Sequence, residues 1–147
     1  MDPRFRHFLS DDDEKKILEA IAKAEAKTSG EIRVHLHKKI KGDILENAIR
    51  KFRELEMHRT RERNGILIFI DVDSRRFAVI GDEGIHRKVG QDFWEELKDV
   101  LTGYFRRGQY AEGIIRAVER IGERLKQYFP VKEDDTNELP DDISYDA

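Results

Sequence analysis

Residues 63–86 read RNGILIFIDVDSRRFAVIGDEGIH. Two apolar runs, GILIFIDV (65–72) and RRFAVI (75–80), are separated by a short polar Asp73-Ser74 step. The first run is apolar at nearly every position, the pattern of a central strand covered on both faces. The Asp-Ser step predicts a hairpin into the second run, with a slightly longer loop as the alternative. The second run ends in the acidic tip Gly81-Asp82-Glu83-Gly84, followed by His86.

Upstream, Ile32, Val34 and Leu36 alternate with Arg33, His35 and His37, which predicts a half-buried strand. The two histidines, two apart on one strand face, are read as exposed alternation partners, with metal ligation as the alternative. Before it, Ser10 is placed as an N-cap with Asp11, Asp12 and Asp13 behind it. Ile17, Ile21 and Ala24 then make one helical stripe. Between the first two strands, Asp43 and Glu46 have capping-box spacing. Ile44, Ala48, Ile49 and Phe52 follow helical spacing. After the tip, Phe93, Leu97, Leu101 and Phe105 mark one helix. Ile114, Val118, Ile121 and Leu125 mark a second, ended by Pro130.

The order predicts an α/β fold: a three-layer αβα sandwich with a small mixed sheet of three to four strands flanked by helices. Strands one and two are joined through a helix and run parallel, and strand three returns. A fourth strand is expected from the N-terminal segment near FRHFL (5–9). The domain is drawn over residues 1–130, and residues 131–147 are read as an acidic C-terminal tail. The tail holds seven acids and one lysine, a balance of −6. The whole chain carries −3, so the rest carries about +3.

That charge distribution has no clustered basic stripe, so nucleic acid is not an expected partner. With no cysteine, disulfides, thiolate metal sites and cysteine nucleophiles are excluded. No leader-like or membrane-spanning apolar run is present, and a cytoplasmic protein is expected. Charged residues make up 40% of the chain, a trend shared with thermophilic proteins.

The return of strand three brings distant polar groups to one rim: Ser29 and Glu31, Arg63 and Asn64, then Asp82, Glu83 and His86. Carboxylates with an asparagine suit Ca²⁺ or Mg²⁺. The expected ligands are Glu31, Asn64, Asp82 and Glu83. Asp135, Asn137 and Glu138 of the tail segment DDTNE (134–138) offer a second oxygen-rich set. The alternative is structural: Asp82 caps a helix, Asn64-Gly65 makes a turn, and the tail is solvated.

AEAKTSGEIRVHL (24–36), RTRERNGILIFI (59–70), RRFAVIGDEGIHRKVG (75–90) and GIIRAVERIGERLKQYFP (113–130), taken in this order, resemble the TPM domain family. That family is of the thylakoid acid phosphatase, photosystem II repair and receptor modulator type. The closing segment resembles its short stand-alone bacterial members. The resemblance implies an αβα sandwich, divalent metal at sheet-edge loops, and phosphatase activity in some members only. Many members read Asp-Asn-Gly into the second strand, whereas this chain has Arg63-Asn64-Gly65. A cation therefore replaces a carboxylate at the rim.

The expected function is a non-catalytic, divalent-metal-responsive interaction or chaperone-like accessory module, a monomer or weak oligomer with a protein partner or client. The alternative is a metal-assisted acid phosphatase. There Asp82 or Glu83 holds metal, His86 acts as general acid and Arg63 clamps phosphate. No serine or threonine sits in a recognisable nucleophile elbow, so a metal-bound water would have to attack.

Overall fold

The structure is a computed structural model of the 147-residue chain, described here for residues 2–131 and 143–147. Helix α1 (Asp11–Glu25) starts where the sequence places it. Ser10 accepts from the Asp13 amide and the Asp13 carboxylate accepts from the Ser10 amide, each at 3.0 Å. This reciprocal pair satisfies two helix-end donors. Strand β1 (Glu31–His37) follows, then α2 (Ile44–Glu54), capped by Asp43 through the Glu46 amide.

Strand β2 (Gly65–Asp71) is buried at all seven positions. It pairs parallel with β1, Glu31 opposite Gly65 and His37 opposite Asp71. It pairs antiparallel with β3 (Arg76–Gly81) across the four-residue turn 72–75. The turn is thus the longer of the two expected forms. Asp71 accounts for part of this: its carboxylate accepts from the Ser74 hydroxyl and the Ile40 amide, so it braces the loop instead of ending it. The four-residue helix α3 (Glu83–His86) leads to α4 (Gln91–Arg106) and α5 (Tyr110–Tyr128).

The fourth strand corrects the expected one. It is β4 (Ile143–Asp146), within the stretch read as tail, and it lies parallel to β1 to give the order β3-β2-β1-β4. The boundary drawn at residue 130 therefore does not hold for these four residues. The FRHFL segment instead follows a 3-10 turn (Pro3–Phe5) that ends at its first residue, and Phe5, Phe8 and Leu9 enter the core. Their spacing of three and one is that of a helical turn, not of a strand.

Two apolar layers cover the sheet. Ile32, Val34, Leu36, Ile66, Ile68 and Ile70 face α1, α4 and α5. Leu67 and Phe69 face Ala48 and Phe52 of α2. Each fully buried aliphatic or aromatic side chain contributes about 1.5–3 kcal/mol. This is the three-layer αβα sandwich. No helix among the described residues is long and apolar enough to cross a membrane.

Ile143 is 2% exposed and sits opposite Val34. Ile143→Ala is expected to cost roughly 2 kcal/mol, the low end for a core aliphatic because an edge strand relaxes. Urea unfolding measures the cost, and faster amide exchange confined to 143–146 and the facing edge of β1 locates it.

Candidate functional site

The starts of β1 and β2 and the end of β3 form one rim. Glu31 lies opposite Gly65, Gly81 opposite Ile66, and the Asp82 amide donates to the Gly65 carbonyl at 3.0 Å. Glu31, Asn64 and Asp82 are thus at the same border of the sheet.

Two separate polar groups occupy that rim. The first is an ion pair. Arg63 donates through Nε and Nη2 to the two carboxylate oxygens of Asp82, at 2.8 and 2.9 Å. Its Nη1 donates to Glu83 at 3.3 Å. The fork matches the carboxylate geometry, and the Asp82 hydrogen bond raises the Arg63 pKa, so the cation persists. Asp82 also caps α3, accepting from the Glu83 amide at 2.8 Å. Arg63 adopts a left-handed backbone, φ 51°, which turns its side chain onto α3 rather than along β2.

The second group is an oxygen-rich chain. The Ser29 hydroxyl donates to Glu62, and Asn64 Nδ2 donates to Ser29 Oγ at 3.1 Å. The Ser29 proton is spent on Glu62, so Ser29 Oγ needs a donor, which fixes the asparagine amide orientation. Asn64 Oδ1 is then buried without a hydrogen-bond partner among the described residues. Glu31, 4% exposed, joins this group through its backbone: its amide donates to the Asn64 carbonyl at 3.3 Å.

These partners test the rim as a hard-cation site. Asp82 does not fit, because Arg63 already occupies both of its oxygens. Asn64 fits, since its orphan carbonyl oxygen is the type of donor Ca²⁺ or Mg²⁺ takes. Glu31 supplies a carboxylate at the same border. Glu83 is shared between Arg63 and Arg87, the latter at 3.1 Å. His86 is turned away onto Trp94, its ring stacked at 4.9 Å and 30°. Asp135, Asn137 and Glu138 lie outside the described residues. For the phosphatase alternative, the proposed phosphate clamp is already filled by Asp82 and Glu83, and the proposed acid packs on α4.

The opposite end of the sheet holds a cluster that alternation missed. His35 is 1% exposed, contrary to its expected exposure, because Phe69 of β2 stacks on its ring and Ser144 and Asp146 of β4 flank it. With His37 and Asp146 it makes the one group of three or more ligand-type side chains gathered within 4.8 Å among the described residues. Asp146 lies in the segment read as solvated tail. The alternation of Ile143 and Tyr145 with Ser144 and Asp146 was the available signal for a strand there.

Beside the sheet edge runs an open groove. Among the described residues β3 is the outer strand, paired only with β2. A depression of about 780 Å³ follows it between α2 and α4, lined by Leu45, Phe77, Val79 and Trp94 with Arg76 and Lys98 at its margin. Leu45 is 51% exposed.

Comparison with known proteins agrees with this architecture. A family model described as TPM domain matches residues 4–124. The BA42 protein of the psychrophilic bacterium Bizionia argentinensis, solved by NMR, is 40% identical. The match covers 94% of this chain and 95% of that one, with a TM-score of 0.89. The N-terminal domain of a P. gingivalis protein is 20% identical over 83% of this chain and 79% of its own, with a TM-score of 0.66, a likeness of fold. No curated protein shows significant similarity to the chain.

Proposed function

Because the chain belongs to the TPM domain family, we propose that it acts as a non-catalytic, divalent-metal-responsive interaction module that takes an extended segment of a protein partner or client along β3. One observation carries the reading: the outer edge of β3 is open along an apolar groove between α2 and α4. An edge strand offers unpaired backbone donors and acceptors to an added strand, and flanking pockets take alternate side chains. Leu45, Phe77 and Trp94 supply the apolar contacts, and Arg76 and Lys98, set against Glu95, favour an acidic–aliphatic segment.

The rim's part is to order the loops. Glu31 and Asn64 Oδ1 are the groups that would hold Ca²⁺ or Mg²⁺. A bound ion stabilises the folded state by mass action. The Arg63–Asp82 pair supports a role without chemistry, since it fills the position where a phosphatase would keep metal and phosphate.

The test is an NMR titration with a capped peptide of alternating valine and glutamate. Shifts are expected at 76–81, Leu45 and Trp94, and Leu45→Glu should weaken binding roughly tenfold, about 1.4 kcal/mol. No saturable shift at β3 would overturn the interaction reading. Hydrolysis of nitrophenyl phosphate at pH 4–8 that Asp82→Asn abolishes would install the phosphatase in its place.

A further inference from the structure

β1 and β4 lie side by side with His35 opposite Ser144 and His37 opposite Asp146. A strand alternates its side chains, so these four share one face. That face lies under α2, which brings Lys51 and Glu54, and beside Phe69 of β2. His35 Nε2 is 3.1 Å and His37 Nδ1 is 3.7 Å from the same oxygen, Asp146 Oδ2. Neither ring nitrogen makes a hydrogen bond among the described residues, although both are buried. The other nitrogen of His35, Nδ1, lies 2.6 Å from Ser144 Oγ, and the ring stacks on Phe69 at 25°.

We infer that His35 Nε2, His37 Nδ1 and an Asp146 carboxylate oxygen form a binding site for a borderline divalent transition ion of the Zn²⁺ type. It is distinct from the hard-cation rim at the other end of β1. Bonds of 2.0–2.1 Å in a tetrahedron put ligand atoms ~3.3 Å apart, and the observed 3.1 and 3.7 Å bracket that separation. Two imidazoles and one carboxylate select Zn²⁺ or Co²⁺ over Ca²⁺ and Mg²⁺. Ser144 holds the far nitrogen of His35 and Phe69 holds its plane, which is how ligating histidines are oriented. A cavity of about 290 Å³ reaches His37 and Asp146 from solvent and leaves room for a fourth ligand.

Lys51 is the competitor. Its ammonium lies 2.6 Å from Asp146 Oδ2 and also 2.6 Å from Glu54 Oε2. In the metal-free chain it neutralises Asp146. An arriving ion displaces it onto Glu54, which already holds its other side. The ion would then clamp β4 to β1.

The test is a Co²⁺ titration of the full chain, read by visible d–d absorption. Intense four-coordinate bands are expected to saturate at one equivalent, to be displaced by Zn²⁺, and to persist in excess Ca²⁺ or Mg²⁺. His37→Ala and Asp146→Asn should each abolish them. Ser144→Ala should weaken binding by about 10- to 100-fold, and Lys51→Met should tighten it. Ring ¹⁵N shifts of His35 and His37 on adding Zn²⁺ to the unmodified chain need no variant. Bands that survive both ligand variants, ring shifts that do not move, or the absence of saturable Co²⁺ binding would each overturn the proposal and leave a structural network.

Discussion

Acidification of the metal-free chain from pH 7 to pH 4 is expected to remove on the order of 3 kcal/mol of folding stability through His35 alone. Burial pushes its pKa down from 6.5 to about 4. The facing charges divide: Asp146 pulls it up, whereas Lys51 and His37 push it further down. Unfolded, the imidazole takes its proton near 6.5; folded, it resists until about 4. Between those values the unfolded state binds more protons, so stability falls as pH falls through that window. A gap of roughly 2.5 pKa units at 1.36 kcal/mol per unit sets the size. Asp146 acts in the same direction at lower pH. Burial alone would raise its pKa, but the Lys51 hydrogen bond and the His35, Lys51 and His37 charges lower it below 3.8. Its contribution is therefore lost only below the His35 window. Against a typical total of about 5–15 kcal/mol, the histidine term is large. Urea unfolding in chelator at half-unit pH steps checks it. His35→Gln, which carries no proton to titrate, should flatten the pH 6.5–4 segment. An unchanged slope in that variant would assign the loss elsewhere.

His35 also shows what the sequence conceals. Ile32, Val34 and Leu36 announce β1 and their face meets α1, α4 and α5 as alternation requires. Alternation alone cannot say whether the other face meets water or a second layer. Here Phe69 of β2 stacks on His35, Lys51 of α2 reaches the neighbouring Asp146, and Asp146 itself arrives from more than a hundred residues away. The seven buried residues of β2 were legible as a two-sided central strand, and the reversal of β3 fixed the rim correctly for Glu31, Asn64 and Asp82. What remained invisible was the partition of the rim. The left-handed turn at Arg63 aims its guanidinium at Asp82, and the Ser29–Glu62 bond leaves Asn64 Oδ1 orphaned; both depend on side-chain rotamers that spacing does not encode. β4 was missed because its four residues follow a strongly acidic stretch whose composition outweighs Ile143 and Tyr145. Strand pairing with β1 and the Tyr145 contacts to Phe5 and Glu14 override that local signal.

Gly84→Ala is expected to destabilise the chain by about 3 kcal/mol, the upper part of the range for forced overpacking. A Cβ at this position would lie 2.2 Å from the Glu62 carbonyl oxygen and 2.6 Å from that of Arg63. Both obstacles are backbone, so no rotamer change relieves them. The Gly84 amide donates to that same Arg63 carbonyl at 2.9 Å, so parting the two segments also breaks a buried hydrogen bond. Gly103, in the last turn of α4 with open space around its Cβ position, is the counter-case. There alanine removes the helix cost of glycine and should stabilise by about 0.5–1 kcal/mol. Urea unfolding of the two variants should therefore give shifts of opposite sign. The functional consequence follows from what Gly84 presses against. Displacing 62–64 moves Glu62, Arg63 and Asn64 together, which parts the Arg63–Asp82 fork and the Asn64–Ser29 hydrogen bond that orients Asn64 Oδ1. A Ca²⁺- or Mg²⁺-dependent rise in Tm should disappear in Gly84→Ala. Co²⁺ binding at His35, His37 and Asp146 should persist, because those residues sit at the far end of β1 and on β4. Loss of both responses together would mean that the substitution disrupts the sheet as a whole, and the two ends would then not be independent sites.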